Sequence, residues 1–267
     1  MTSRKGAILT RAQEGGRASW PQRPETQFFD VGTPISQAPD PDEVTAARRD
    51  AVKSAMLHSW RGYQEYGWGQ DEYAPVKRQG VSGAAPGATI VDSMSTLKVM
   101  GLEKEFNEAV AWVTDHDFRL SSRSVSVFET TIRVLGGLLS AYDMTGDRDL
   151  LRKATEVGDG LLGAFTSAST GIPAPEVVLG TGAASGPTGK KGLRALLAEL
   201  GTNQLEMRQL SHHTGNSKYS AACDKVSRLL ESQSQAHHGL WNTFSDRVTG
   251  QEAPPTLLSF GAKADST

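Results

Sequence analysis

The sequence has a single cysteine, Cys223, so no internal disulfide can form and the redox compartment stays open. It has no excess of either charge. Its 28 Lys and Arg stand against 30 Asp and Glu, a net charge of −2, which argues against the broad basic surface of a nucleic-acid-binding protein. No stretch approaches the roughly 18 apolar residues of a membrane-spanning helix; the longest run, Val134 to Leu139, already contains Gly136 and Gly137. Ala7-Ile8-Leu9 is too short for the apolar core of a secretory signal, so none is expected there. No His-x-x-x-His or Cys-x-x-Cys spacing occurs. The adjacent pairs His212-His213 and His237-His238 do not share a face, so no metal-ligand set is read from spacing. Asn107, Asn203, Asn216 and Asn242 all miss the Asn-x-Ser/Thr glycosylation pattern.

What is present is punctuated by proline. Five of the twelve prolines fall within the first 42 residues, among Gly, Ser, Gln and Thr. That stretch cannot bury enough apolar surface to offset its ordering entropy, so residues 1–42 are expected to be a disordered leader. The remainder, 43–267, is expected to form one helical domain. Proline is absent between Pro86 and Pro173 and between Pro187 and Pro254, which leaves room for long helices. Apolar periodicity predicts helices from Asp42 to Gly67, Thr89 to Met100, Lys104 to Val113 and Ser126 to Met144. It predicts three more over Asp147 to Phe165, Leu193 to His212 and Ser217 to Ser232. Thr145-Gly146-Asp147 and Thr214-Gly215-Asn216 each read as a left-handed glycine stop followed by a cap, with Met100-Gly101-Leu102 a weaker counterpart. Such recurring junctions indicate an array of antiparallel helix pairs. Short strands are expected at Glu176–Leu179, Leu240–Phe244 and Leu257–Phe260.

Gly180-Thr-Gly-Ala-Ala-Ser-Gly186 is one residue too long for the dinucleotide fingerprint and reads as an ordinary loop. Two polar stripes on the helices carry more information. Glu129 and Arg133, spaced i,i+4 in the favourable order, lie opposite a broad apolar face, together with Gly136, Gly137 and Ser140. They can be a solvated ion pair, or they can line a cavity. Two glycines at about 1 kcal/mol each relative to Ala suggest that something approaches closely there. On a second helix Glu199, Thr202, Asn203 and Glu206 share a face. Carboxylates on the inward faces of a helical barrel are the ingredients of glycoside hydrolysis, in which one donates a proton and another activates water.

Five segments, taken in order, carry a resemblance. They are Trp60-Arg-Gly-Tyr-Gln-Glu-Tyr-Gly-Trp-Gly-Gln-Asp-Glu72, Gly87-Ala-Thr-Ile-Val-Asp92, Val127-Phe-Glu-Thr-Thr-Ile-Arg-Val-Leu-Gly-Gly-Leu-Leu-Ser-Ala-Tyr142, Leu197-Ala-Glu-Leu-Gly-Thr-Asn-Gln-Leu-Glu206 and Phe260-Gly-Ala-Lys-Ala-Asp-Ser266. Over about residues 50–266 the sequence resembles the class I α-1,2-mannosidases, glycoside hydrolase family 47. The resemblance implies an all-α fold of helix pairs in an (αα)7 toroid with a few short hairpins. It implies inverting removal of terminal α-1,2-linked mannose from high-mannose N-glycans, one calcium ion, and a place in the endoplasmic reticulum or Golgi. Glu129 matches the catalytic acid, Arg133 a substrate-binding arginine and Glu199 an acid of the sugar pocket, with Glu206 in the same block.

The sequence departs from the family at Gln70, Ser95, Lys98 and the loop Gly180 to Leu193. The matched segments reach about midway through the family's domain, short of its catalytic base and of the threonine that binds calcium. The expectation is therefore an incomplete toroid with little or no hydrolase activity by itself. The alternative is a non-catalytic mannosidase-like protein that binds glycan or misfolded glycoprotein.

Overall fold

The computed structural model describes residues 42–185, 193–233 and 237–266. The leader expected over 1–42 therefore lies outside the described residues except for Asp42, as does the end of the glycine-rich loop beyond Ser185.

The long helices form where apolar periodicity places them. Helix α1 spans Glu43–Tyr66; the Asp42 carboxylate accepts from the Thr45 amide at 2.8 Å and so caps it, and Gly67 closes it. Helices α2 (Ala88–Val99) and α3 (Glu103–Asp115) meet at Gly101, whose φ of +64° is the left-handed stop expected there. The same junction recurs at Gly146 and Gly215, with φ of +70° and +68°. Asp147 caps α6 (Arg148–Phe165) through the Asp149 amide, and the Asn216 side chain accepts from Lys218 at the start of α9 (Lys218–Gln233).

The stretch from Ser126 to Thr145 is helical as expected but wound in three ways. It runs as α4 (Val127–Glu129), a π-helical segment Thr130–Leu135, and α5 (Gly136–Thr145). Thr131 Oγ1 donates to the Val127 carbonyl four residues back at 2.8 Å, and the Gly136 amide reaches the Thr131 carbonyl five residues back. These are the local substitutions that let a turn widen, and such wide turns cluster at functional sites.

The helix expected over Leu193–His212 is interrupted. Arg194–Leu196 is a strand, α7 covers Leu197–Gly201, and α8 begins at Gln204 and runs to Thr214. The break has a local cause. The Asn203 amide side chain donates to the Glu199 carbonyl at 2.7 Å, next to a glycine of low helix propensity.

The helices pair in chain order, α2 with α3, α5 with α6, and α8 with α9. One row, α2–α5–α8, packs side by side, and the second row, α3–α6–α9, runs behind it. Three small antiparallel sheets occupy the connections that lead into the first row. They are β1 (Glu72–Ala74) with β2 (Gln79–Val81); β3 (Val125–Ser126), β4 (Glu176–Val178) and β5 (Ala183–Ser185); and β6 (Arg194–Leu196) with β7 (Phe244–Asp246). Ser126 pairs with Glu176 and Leu196 with Phe244, so α4 and α7 each emerge directly from a strand. Of the expected strands, Glu176–Leu179 forms without its last residue, as Glu176–Val178. Leu240–Phe244 is strand only from Phe244, and Leu257–Phe260 contributes a single bridge, Leu258 to Asn242.

The core lies between the two helix rows and contains Met94, Leu97, Leu135, Leu138, Leu150, Leu161, Met207 and Tyr219, all fully buried. The suggestion that the paired glycines permit close approach holds at Gly137 and not at Gly136. A Cβ on Gly137 would stand 2.6 Å from the Val91 backbone oxygen of α2, whereas one on Gly136 would meet the Glu206 side chain at an ordinary 3.5 Å. Gly137→Ala is expected to destabilise the fold by about 1–3 kcal/mol through overpacking against backbone. Gly136→Ala should stay within about 1 kcal/mol of the parent, since it adds helix propensity without a clash. Urea unfolding midpoints check this, and equal effects of the two substitutions would contradict it.

Candidate active site

Asp71, just beyond α1, organises the approach to the site. It is 7% exposed; its Oδ1 accepts from the Gly87 amide at 2.8 Å, and its Oδ2 from the Gly83 amide at 2.8 Å and from Arg123 at 2.6 Å. Its main-chain carbonyl accepts from the Thr89 amide and hydroxyl. One carboxylate and one carbonyl thus pin both the β2–α2 connection and the first turn of α2. The following turn of α2 carries Asp92, within an i, i+3, i+4, i+7 row of Thr89, Asp92, Ser93 and Thr96.

Facing that row is the start of α4. The Ser126 amide donates to the Ala84 carbonyl at 2.9 Å, and the Ser126 hydroxyl accepts from the Glu129 amide at 3.2 Å. Glu129 is thereby placed at a capped helix start, with the π-helical segment directly behind it. Arg133 bridges the two elements, its Nε 2.6 Å from Glu129 Oε2 and its Nη1 3.1 Å from Asp92 Oδ2. The Glu129 hydrogen bond, ahead of that from Asp92, raises the Arg133 guanidinium above its already high ordinary value, so it is always charged here. The three side chains are 31–48% exposed, and exposed pairs of this kind contribute only about 0–1 kcal/mol to stability. Their arrangement is better read as geometry than as glue.

Glu129, Arg133 and Asp92 line an open cleft of about 510 Å³ together with Asp71, Glu72, Thr89, Ser93 and Thr96, and with the apolar side chains of Met56 and Ala88. Both readings left open for the Glu129–Arg133 pair hold, since the two side chains form a partly exposed ion pair and also line this cleft. Hydroxyls, carboxylates and one guanidinium around an open cleft can hold a polyhydroxylated ligand and deliver a proton to it.

Glu199 and Glu206 are not in that cleft. Glu199 lines a crevice of about 10 Å³ with Val127, Phe128 and Asn203, on the other flank of the helix start. Glu206 lies against Gly136, with its Oε2 buried and without a hydrogen-bond partner. Burial pushes both carboxyls above the ordinary carboxylate range. A raised carboxyl is most stable protonated, so its contribution is present below the unfolded value and is lost as pH rises through the folded one. Glu206→Gln is therefore expected to flatten the fall in melting temperature as pH rises from 4 to 7. It should raise stability at pH 7 by about 1 kcal/mol, the scale of a buried group without a partner. An unchanged pH profile would contradict this.

Asp92 and Asp71 were not singled out from the sequence, although both stand in matched segments. The signal for Asp92 was available, since its polar row on α2 has the same spacing as the stripe carrying Glu129. Asp71 had none, because its partners Gly83, Gly87 and Arg123 are brought to it by the turns.

Comparison with known proteins agrees with this geometry. The glycosyl hydrolase family 47 model matches residues 55–267. A mannosyl-oligosaccharide 1,2-alpha-mannosidase of Arabidopsis thaliana is 42% identical over 236 residues, covering 87% of this chain and 41% of that protein. An endoplasmic reticulum mannosyl-oligosaccharide 1,2-alpha-mannosidase of Rattus norvegicus is 40% identical over 220 residues, covering 82% of this chain and 33% of that protein. The solved alpha-1,2-mannosidase from Trichoderma reesei superposes with a TM-score of 0.73 at 30% identity, over 83% of this chain and 48% of that one. The chain thus spans about two fifths or less of these two sequence relatives, and its paired helices are those of the (αα)7 barrel. With the matched family model covering most of its length and these relatives alongside, the chain belongs to glycosyl hydrolase family 47.

Proposed function

We propose that residues 43–267 form the acid-bearing, N-terminal part of the barrel domain of an inverting mannosyl-oligosaccharide 1,2-α-mannosidase, acting on high-mannose N-glycans in the secretory pathway. The observation that carries this reading is the Glu129–Arg133–Asp92 bridge on the wall of the cleft. Glu129 donates a proton to the glycosidic oxygen as the bond to the departing sugar breaks. Arg133, held by two carboxylates from different elements, orients the sugar hydroxyls. Glu199 and Glu206 serve as hydroxyl acceptors once the sugar reaches their side of the helix start. The second carboxylate that inversion needs, roughly 6.5–9.5 Å across the ring from the acid, belongs by resemblance to the other half of the family's domain.

Calcium is implied by the same resemblance. It takes six to eight oxygen ligands, and among the described residues no group of three or more His, Cys, Asp or Glu is placed to hold a metal ion. The described residues therefore do not fit it, and no step here runs through it. Several relatives carry endoplasmic reticulum in their names, and among the described residues no helix is long and apolar enough to cross a membrane.

The test is a chimera in which residues 55–267 replace the matched segment of the Trichoderma reesei enzyme. Release of mannose from an α-1,2-linked oligosaccharide is expected. A folded chimera without activity would overturn the reading. The 267-residue chain is expected to bind the same oligosaccharide, and Arg133→Ala to weaken that binding by about tenfold, 1.4 kcal/mol.

A further inference from the structure

The C-terminal end of α3 carries an aromatic ridge that the cleft does not use. The Trp112 ring lies 4.3 Å from the His116 ring at an interplanar angle of 16°, and buried Phe118 meets His116 edge-on at 4.8 Å. On the other side the Trp112 ring is seated on glycines, where a Cβ on Gly87 would stand 2.5 Å from it and one on Gly69 3.2 Å. The indole is thus fixed in place and only partly buried, its remaining exposed atoms contributing to two surface depressions. One shallow, open depression, of about 480 Å³, is lined by Trp68 and Trp112, with Gln64, Glu108, Ala111 and Asp115 completing it. A second, of about 510 Å³, shares Trp112 and Asp115 and extends past His116 to Pro86 and exposed Leu120.

The chemistry of this groove suits a neutral saccharide. A pyranose presents an apolar C–H face, which packs against the exposed carbons of Trp68 and Trp112, and a rim of hydroxyls, which pair with amides and carboxylates. Gln64 Nε2 donates to Glu108 Oε2 at 2.7 Å, so an amide and a carboxylate stand side by side at the edge of the indole walls. Lys104 Nζ lies 3.8 Å from the other oxygen of Glu108 and offsets part of that charge. Burial first, and then the Lys153 ammonium, lower the His116 imidazole below its ordinary value, so the ring against Trp112 is uncharged at neutral pH.

The groove also adjoins the reaction cleft. Ala84 and Ala85 line the cleft, Pro86 lines the second cavity, Gly87 underlies Trp112, and the Ala84 carbonyl accepts from Ser126, three residues before Glu129. Ala85 and Pro86, neighbours in the chain, thus line one surface each.

We propose that the groove walled by Trp68 and Trp112 is a second saccharide-binding site, which holds another segment of an oligosaccharide engaged in the Glu129 cleft. The identity of the ligand rests on the mannosidase reading above. The experiment labels the 267-residue chain with 5-fluorotryptophan, assigns Trp68 and Trp112 by their Phe variants, and titrates α-1,2-mannotriose by fluorine NMR. Both signals are expected to shift, to shift equally in Arg133→Ala, and to need about tenfold more saccharide in Gln64→Ala. Tetramethylammonium is expected to bind more weakly than the trisaccharide; tighter binding would overturn the proposal. If the signals stay still while calorimetry shows that Arg133→Ala weakens oligosaccharide binding, the groove fails and the mannosidase reading stands. If the signals move but Glu129→Gln leaves mannose release by the chimera unchanged, that reading fails and the groove stands as a saccharide site.

Discussion

Asp71→Ala is expected to lower the unfolding free energy by about 3–5 kcal/mol, the largest stability effect of any single substitution considered. The carboxylate is nearly buried and saturated, with two backbone amides and the Arg123 guanidinium on its two oxygens. Removing it leaves the Gly83 and Gly87 amides without an acceptor and Arg123 beside a void. Each orphaned donor costs about 1–3 kcal/mol, and the guanidinium loses its counter-charge. The loss propagates, because Gly87 is the left-handed residue from which α2 starts, and α2 carries Asp92 to Arg133. Asp71→Asn should cost less, since an amide oxygen can still accept one of the backbone bonds. Arg123→Met should cost less again, because Arg123 is 38% exposed and water can replace part of what it gives. Urea titration of the three variants gives the order. A cost for Asp71→Ala no greater than that for Arg123→Met would show that the backbone bonds are not what holds the turn.

The helices and their junctions were legible because each rests on local rules. Asp42, Gly101, Gly146, Asp147 and Gly215 terminate or cap helices within one turn of themselves, so the pairwise architecture could be read before any packing was known. The π-helical segment was not legible, since Thr130, Thr131 and Ile132 fit the same apolar period whether the turn is α or π, and side-chain bonds back to the chain decide the winding. The break at Asn203 escaped for a related reason, as a side chain outcompetes the backbone for the Glu199 carbonyl. Strand ends were missed where pairing partners are far apart in sequence, Leu196 with Phe244 and Ser126 with Glu176, because nothing local fixes such a register. At the site, Glu129 and Arg133 were found by spacing, whereas the placement of Asp92 against Arg133 depends on how α2 meets the helix across it.

Glu129→Gln, introduced into the chimera, is expected to lower kcat by about 10²–10⁴, the usual worth of a positioned general acid, or about 3–5 kcal/mol of barrier. The substitution is nearly isosteric and its amide oxygen can still accept from Arg133 Nε, so the bridge to Asp92, the fold and KM should be preserved. A loss confined to kcat would mean that the carboxyl acts only when the bond breaks. Arg133→Ala should show the complementary pattern. On the proposed reading it removes the charge assigned to orienting the sugar and frees both Glu129 and Asp92, so KM is expected to rise. Leaving-group chemistry separates a proton donor from a merely structural carboxylate. Fluoride leaves α-mannosyl fluoride without needing the general acid, so the Gln variant should lose far less activity on it than on the oligosaccharide. Equal losses on both substrates would mean that Glu129 holds Arg133 in position and that the proton comes from another group.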